Sequence, residues 1–269
     1  MAKKRLDILL FESAKAESRE KAKSLIMSGN VHSDNKILDK PGMLVDENIP
    51  LYVKERLPYV SRGGLKLKKA VDIFKLNFEG KTVIDIGAST GGFTDLVLQQ
   101  GAEKVYAVDV GKNQLHYSLT RNPHVVDLQK VNFREIDFDI IGEKVDNIVC
   151  DVSFISLKMI IPKAVMFCVE GCELVFLIKP QFEAKKQEVG KNGVVRNPEV
   201  HKRIMEDIIG FAKNCGLSFQ GLTRSPIKGP KGNIEYLVYF VYKDKFCMND
   251  DVKNIVRQVV DDEKYSYCC

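Results

Sequence analysis

From Lys81 onward, short apolar runs alternate with amphipathic stretches, and no other feature of the chain restricts its fold as strongly. Residues 82–86, 104–109, 145–150 and 173–178 read as buried strands, while helical periodicity falls at 92–100, 156–168 and 198–214. Strands separated by helices need crossover connections, so the expected sheet is mostly parallel with helices packed on its faces. Two later strands are expected at 218–222 and 235–241. Val252, Ile255, Val256, Val259 and Val260 share one face of a closing helix, expected to pack on the sheet.

Residues 1 to about 60 have a different texture, with short elements and frequent turn residues. Leu6, Leu9 and Leu10 have helical spacing. Ser18 can cap a second helix whose apolar stripe is Ala22, Leu25 and Ile26, and which ends near Gly29. Val31, a turn at Ser33–Lys36, Pro41-Gly42 and the strand-like alternation of Ile49, Leu51 and Val53 complete a small domain. The chain therefore divides into a small α+β domain (1–58), a basic linker with a first helix (59–80), the α/β domain (81–245) and a closing helix with a tail (246–269). That tail ends in Cys268 and Cys269, read here as exposed and disordered.

Charge and cysteine content narrow the function. The net charge is only +5, but six basic residues face a single acid between Lys54 and Lys69, as in a phosphate-binding stripe. Seven cysteines show no Cys-x-x-Cys or Cys/His cluster, so neither a metal site nor a disulfide framework is expected. No stretch approaches the ~18–20 apolar residues of a membrane span, and Asp7, Glu12, Lys15 and Glu17 interrupt any signal-peptide core. The expected location is the cytoplasm, with no membrane partner.

Asp85-Ile86-Gly87-Ala88-Ser89-Thr90-Gly91-Gly92-Phe93-Thr94 lies where the first strand of the α/β domain gives way to a helix. Glycines there let the backbone turn sharply and approach a ligand. The turn is neither a dinucleotide fingerprint, because Ser89 takes the middle glycine position, nor a P-loop. Asp109 lies 22 residues beyond Gly87 at the end of the next strand, where a carboxylate can accept ribose hydroxyls. A ligand with a ribose and no pyrophosphate fits, which points to S-adenosylmethionine. Asp85, the turn residues 87–93, Asp109, Asn132 after the third strand and Asp151 form the expected cofactor set.

The turn and its surroundings resemble the Rossmann-like S-adenosylmethionine methyltransferases of the FtsJ type, which methylate RNA ribose 2′-hydroxyls. The N-terminal residues Arg5-Leu6-Asp7, Ser18-Arg19, Ala22, Leu25-Ile26, Gly29-Asn30-Val31 and Pro41-Gly42 resemble the RNA-binding domain of the ribosomal protein S-four type. Together with Tyr59-Val60-Ser61-Arg62-Gly63-Gly64-Leu65-Lys66-Leu67, the pairing is similar to the TlyA family of ribosomal RNA 2′-O-methyltransferases, also called hemolysins. The resemblance implies a seven-stranded, mostly parallel sheet and a Lys-Asp-Lys-Glu tetrad at Lys66, Asp151, Lys179 and Glu235. The fold reading independently puts Asp151 and Lys179 at adjacent strand ends beside the glycine turn.

Methyl transfer to an alcohol needs an in-line electrophile and an acceptor for the hydroxyl proton. An ammonium cannot accept a proton, so Lys179 can serve only if burial or nearby positive charge favours its neutral form. Lys179 is read as proton acceptor, Asp151 as its orienting partner, and Lys66 and Glu235 as positioning groups. A base-amine methyltransferase would carry Asp/Asn-Pro-Pro-aromatic where this chain has Asp151-Val152-Ser153-Phe154. A pyrimidine carbon-5 enzyme would need a nucleophilic cysteine, whereas Cys150 reads as a buried strand end.

The candidate RNA contacts are Arg5, Arg19, Lys21, Lys23 and Arg62 on the small domain and linker, and Lys130, Arg134 and Phe154 at the mouth of the site. Residues 190–196, basic and glycine-flanked, read either as a mobile loop over the substrate or as an ordinary connector. The expected activity is S-adenosylmethionine-dependent ribose 2′-O-methylation of ribosomal RNA, with the oligomeric state left open. The alternatives are a catalytically silent RNA-binding assembly factor and a cytolysin.

Overall fold

The computed structural model describes residues 3–34, 36–53, 57–242, 251–262 and 264–268. Lys54 and Arg56 of the basic run, the expected domain limit at 245/246 and Cys269 lie outside them. The chain forms two compact units, Met1–Pro58 and Tyr59–Cys269, so the segment 59–80 and the closing helix belong to the larger unit.

In the small unit, β1 (Lys3–Arg5) leads into α1 (Leu6–Glu12), followed by α2 (Arg19–Met27), β2 (Val31–Ser33), β3 (Lys36–Ile37), β4 (Leu44–Asp46) and β5 (Tyr52–Val53). Strand β1 pairs with β4, and β2 lies between β3 and β5, all antiparallel. Ser18 caps α2 by accepting from the Lys21 amide at 3.1 Å, and Gly29 reverses the chain after it with φ +69°. The apolar stripes of the two helices meet Val31, Leu38, Val45 and Leu51 in one core. The expected alternation through Ile49, Leu51 and Val53 is a strand only at Tyr52–Val53; Leu51 is buried and Ile49 packs beside it without ladder pairing. Burial of apolar side chains, which alternation signals, does not require a strand.

The larger unit opens with α3 (Gly63–Phe74), then β6 (Thr82–Ile86), α4 (Gly92–Gln99), β7 (Lys104–Asp109), α5 (Tyr117–Thr120), β8 (Val125–Gln129), α6 (Phe138–Ile141) and β9 (Val145–Cys150). It continues through α7 (Ile161–Val165), β10 (Cys168–Ile178), α8 (Pro180–Glu183), α9 (Pro198–Asn214), β11 (Leu217–Arg224), β12 (Tyr236–Tyr242), α10 (Val252–Asp261) and β13 (Ser266–Cys268). The sheet order is β13-β11-β12-β10-β9-β6-β7-β8. Strands β6 to β10 run parallel, and β12 returns antiparallel between β10 and β11. Helices α3 and α4 cover one face through Leu67, Phe74, Phe93, Leu96 and Val97, and α7, α9 and α10 cover the other.

Three expectations need correction. Among the described residues the sheet has eight strands rather than seven, because Ser266–Cys268 pairs with β11; this part of the tail is an edge strand and not a disordered end. The helix expected over 156–168 is broken into a 3-10 turn at Leu157–Met159 and the short α7, with Pro162 in its first turn; proline has no amide to continue an earlier helix. Strand β10 then starts at Cys168, five residues earlier than its apolar run suggests, with an irregularity before Glu173 that keeps Cys168 and Cys172 buried. Within the expected pattern, α10 buries Ile255, Val256, Val259 and Val260.

Strand order reverses between β6 and β9, so their carboxyl ends open a crevice. Because β12 is antiparallel to β10, with Tyr236 opposite Ile178, the residue before β12 reaches the same edge as the residue after β10. Glu235 and Lys179 occupy those two positions.

Candidate active site

The glycine turn is held from beneath by the sheet. The amides of Gly87 and Ala88 both donate to the Val108 carbonyl, at 2.9 and 3.1 Å. Gly87 has φ +81°, and a Cβ there would stand 2.7 Å from the Asp151 carbonyl oxygen. Gly91 has φ +91°, a conformation that favours glycine, and a Cβ there would overlap Leu119 Cδ1 and stand 2.8 Å from Leu115 Cδ1, displacing both leucines. Gly92 is similarly pressed against the Ser61 hydroxyl and the Gly64 amide. The close approach of α3 and α4 thus depends on glycine at 92.

Asp85 sits at the floor of the turn, fully buried. One oxygen accepts from the Thr94 amide at 2.9 Å and its hydroxyl at 2.6 Å, while Oδ1 is enclosed without a hydrogen-bond partner among the described residues. Burial, with Asp151 nearby, pushes its carboxyl up to about 7. The Asp109 carboxylate accepts from the Ser89 and Gly111 amides at 2.8 and 2.7 Å, which fixes its orientation and leaves acceptor capacity over.

Two adjoining clefts share these residues. One of about 700 Å³ is lined by Asp85, the turn from Gly87 to Thr90, Gly92 and Phe93, together with Ser61, Arg62, Lys66, Asp151, Ser153, Lys179 and the segment 227–231. The other, of about 420 Å³, is lined by Asp109, Val110, Asn132, Phe133, Asp151 and Phe154 among others. The Asn132 side chain caps a 3-10 turn by accepting from the Arg134 amide at 3.2 Å. Of the expected cofactor residues only Gly91 lines neither cleft; its role is to let the turn pack on Leu119.

The four tetrad residues form one chain of charges. Lys66 Nζ lies 2.8 Å from Glu235 Oε2 and 3.3 Å from Asp151 Oδ2, and Lys179 Nζ lies 2.5 Å from Asp151 Oδ1. Lys179 also donates to the Ser153 hydroxyl at 2.9 Å, with the Phe182 ring 6.0 Å away. Burial alone would lower Lys66, but Asp151 and Glu235 outweigh it and hold the ammonium above its usual range. Lys66 is brought here by α3 and Asp151 by the end of β9. Glu235 stands just before β12 rather than within it.

Beyond the tetrad lies a third cavity of about 460 Å³, walled by Lys66, Lys179, Glu235, Phe154, Phe182 and Gln181 among others. Phe154 has φ +65° and is 90% exposed, its ring 4.9 Å from that of Phe182. Asn192 and Gly193 of the segment 190–196 line this cavity, and the segment is tied at Gly193 and Val195. Asn233 donates to the Gly193 carbonyl at 2.9 Å and accepts from the Val195 amide at 3.2 Å, and Val194 and Val195 are buried. His201 holds the Val195 carbonyl at 2.9 Å and the Tyr236 hydroxyl at 3.0 Å. Burial of these two valines, which glycine and charge content does not register, anchors the Val194–Val195 end of the segment, while Gly190, Lys191, Asn192 and Arg196 stay exposed.

The expected RNA contacts fall into three settings. Arg5 and Arg19 place their Nε atoms 3.0 and 3.1 Å from the buried Asp7, so a structural ion pair already occupies them in part. Lys21 and Arg62 are exposed, Lys23 is half-buried, and Arg62 lines the larger cleft. Lys130 and Arg134 are exposed, the latter 2.5 Å from Glu135. Cys150 is fully buried, and burial pushes its thiol up, away from nucleophilic use.

Sequence reasoning missed Thr94, Ser153, Gln181, Lys228 and Lys231. Thr94, Ser153 and Gln181 had a local signal: Thr94 closes the glycine turn, and the other two stand two residues after Asp151 and Lys179. Lys228 and Lys231 reach the cleft only through contacts between segments far apart in the chain.

Residues 59–242 match the model of the FtsJ-like methyltransferase family, and residues 4–48 match that of the S4 domain. A candidate ribosomal RNA methyltransferase of Bacillus subtilis, YqxC, is 48% identical over 88% of this chain and 85% of its own length. The 16S/23S rRNA (cytidine-2′-O)-methyltransferase TlyA of Mycobacterium tuberculosis is 40% identical over 87% of this chain and 88% of its own. A solved structure of a candidate hemolysin from Streptococcus thermophilus superposes with a TM-score of 0.74 at 43% identity, covering 97% of this chain and 95% of that one. The glycine turn, the four-residue charge chain and the leading S4 domain thus come with matches over most of the length, and the chain belongs to the TlyA family of FtsJ-like methyltransferases.

Proposed function

We propose that this chain methylates a ribose 2′-hydroxyl of bacterial ribosomal RNA, using S-adenosylmethionine. The observation that carries this reading is the unbroken series Glu235–Lys66–Asp151–Lys179, whose last three members line the glycine-turn cleft. The naming of the mycobacterial relative for cytidine 2′-O-methylation of 16S and 23S ribosomal RNA supports the substrate class.

The residues present fit the cofactor. Asp85 Oδ1 is enclosed and has no hydrogen-bond partner among the described residues, and the turn from Gly87 to Thr90 lines a cleft of about 700 Å³. Asp85 and residues 87–93 would hold it, with Asp109 taking ribose hydroxyls and Asn132 beside the adenine. When bound, S-adenosylmethionine supplies an electrophilic methyl on a sulfonium.

The chain's own groups do the rest. Glu235 and Asp151 hold Lys66 as a fixed cation, and that cation limits how much of the Asp151 charge faces Lys179. Asp151 and Ser153 fix the Lys179 nitrogen from two sides, so it can aim at a hydroxyl in the neighbouring cavity. Lys179 takes the hydroxyl proton as the oxygen attacks, after surrendering one of its own to solvent. Phe154 gives an exposed face for an unstacked base, and the basic residues of the small unit and Arg62 meet phosphates. A ribosomal RNA substrate places the reaction in the cytoplasm.

Lys179→Ala tests the assignment. The variant is expected to lose methyl transfer to ribosomal RNA by at least about 10³-fold, within the span attributed to general-base groups, while calorimetry still shows cofactor binding. An active variant overturns the role of Lys179. A silent assembly factor would instead bind cofactor and RNA and transfer no labelled methyl in a single turnover.

A further inference from the structure

Among the described residues, three cations line the cavity beyond the tetrad: Lys66, Lys179 and Lys231. Two of them are engaged. Lys66 is held by Glu235 and Asp151, and Lys179 by Asp151 and Ser153. Lys231 is exposed, and its ammonium has no ion pair or hydrogen bond among the described residues. It lines the glycine-turn cleft as well, so it stands where the two spaces meet. Arg62 and Lys228 line that cleft but not the cavity.

The turn that carries Lys231 is braced. The Gly229 amide donates to the Asn233 carbonyl at 2.9 Å, and the Gly232 amide donates to the Gly229 carbonyl at 3.1 Å. The buried Asn233 side chain donates to the Pro230 carbonyl at 3.2 Å while it also grips Gly193 and Val195, so two borders of the cavity are tied together. Lys231 itself has φ +57°, a left-handed conformation that is unfavourable for any residue with a Cβ. Glycine takes that conformation freely and follows at Gly232, yet this position carries a long cation.

Resting on the function proposed above, we infer that Lys231 binds the phosphodiester on the 3′ side of the acceptor ribose and so fixes the sugar with its 2′-oxygen toward Lys179. The 2′- and 3′-oxygens stand on adjacent carbons, so a hydroxyl placed at the Lys179 nitrogen brings a permanent anion to the same cavity. Lys66 cannot answer that anion, because two carboxylates already hold it, and Lys179 must give up a proton to act. Lys231 is the cation left over, and a flexible ammonium suits a phosphate oxygen as a point charge. One space of about 460 Å³ would then hold all three parts of a nucleotide, the base on Phe154 and Phe182, the ribose at Lys179 and the phosphate at Lys231. Such a contact positions the substrate without reading its sequence.

The test uses the full chain and ribosomal RNA, with the methylated nucleotide first mapped by resistance of its 3′ linkage to alkali. Lys231→Met is expected to raise KM for RNA about tenfold and to lower kcat by less. The slope of log affinity against log salt should fall by about one, as for the loss of one phosphate contact, and Lys231→Arg should restore it. In the presence of S-adenosylhomocysteine the unaltered protein should shield the phosphate 3′ of the mapped nucleotide from ethylnitrosourea, and Lys231→Met should lose that protection alone. An unchanged salt slope, or protection retained by the variant, overturns the assignment. Weakened binding of S-adenosylhomocysteine to Lys231→Met also overturns it, and gives the ammonium to the carboxylate of the cofactor instead. Failure of the unaltered protein to transfer any methyl to ribosomal RNA would remove the enzymatic reading, and this inference with it.

Discussion

The small and large units each bury a carboxylate completely, and they treat it in opposite ways. Asp7 in the small unit is held by Arg5 at 3.0 Å and Arg19 at 3.1 Å and also accepts from the Ile8 amide. The bond from Arg5, and then Arg19, hold its carboxyl down at about 2 despite burial. Among the described residues Asp85 in the large unit has no cation beside it, only Thr94, and one oxygen is left over; burial lifts it to about 7. A carboxylate satisfied within its own domain serves the fold. One left incompletely satisfied beside a cleft is set up for a ligand. Asp151 and Glu235 lie between these extremes, since Lys66 and Lys179 balance them inside the site.

The largest expected effect comes from removing that balance. Lys66→Met leaves Glu235 buried without its cation, and breaking such a pair costs on the order of 3–5 kcal/mol. Urea unfolding should show that loss together with loss of methyl transfer, and adding Glu235→Gln should restore part of the stability but no activity. If Lys66→Met unfolds like the unaltered protein, the charge chain is not a buried network and the contrast with Asp7 collapses.

Asp85 comes next. Its folded value lies above the unfolded 3.8, so the folded state holds the extra proton between about pH 4 and 7. Stability without cofactor should therefore fall as pH rises through that window, by up to about 4 kcal/mol, and change little above it. Asp85→Asn should flatten the slope, and bound cofactor should reduce it. A profile identical in the two proteins would show that Asp85 is not held in the protonated form by its surroundings.

The smallest effect belongs to Asp7, and its sign is opposite. Its folded value lies below the unfolded one, so its contribution is fully present above about pH 4 and fades as pH falls toward 2. Amide hydrogen exchange in α1 and α2 should accelerate over that range, and Arg19→Met should weaken the dependence. Exchange in the small unit that ignores pH between 4 and 2 would remove the structural role given to the Asp7 cluster.

How much of this was open to sequence reading depended on whether a feature was local. The glycine turn with Asp85 before it, Asp109 at the next strand end, and the strand-end positions of Asp151 and Lys179 follow from alternation and spacing. The tetrad as a set came from family resemblance, because nothing in the intervals between residues 66, 151, 179 and 235 brings them together. The break at Pro162 was visible as a residue but was outweighed by apolar periodicity around it. The eighth strand was hidden because Ser266–Cys268 is too short to carry a pattern and exists only where β11 offers an edge.

The sequence by itself determined the alternation of strands and helices, the turn that only glycine can make at Gly87, and the capped helix after Ser18, because these depend on backbone conformation and periodicity within a few residues. Tertiary structure alone decided that Lys66 stands between Asp151 and Glu235, that Arg5 and Arg19 close on Asp7, and that Gln181 is left with an unpaired oxygen. Those outcomes depend on which groups share a space from which water has been removed. Only the packed chain brings the groups together and determines which charges are paid for by a neighbour.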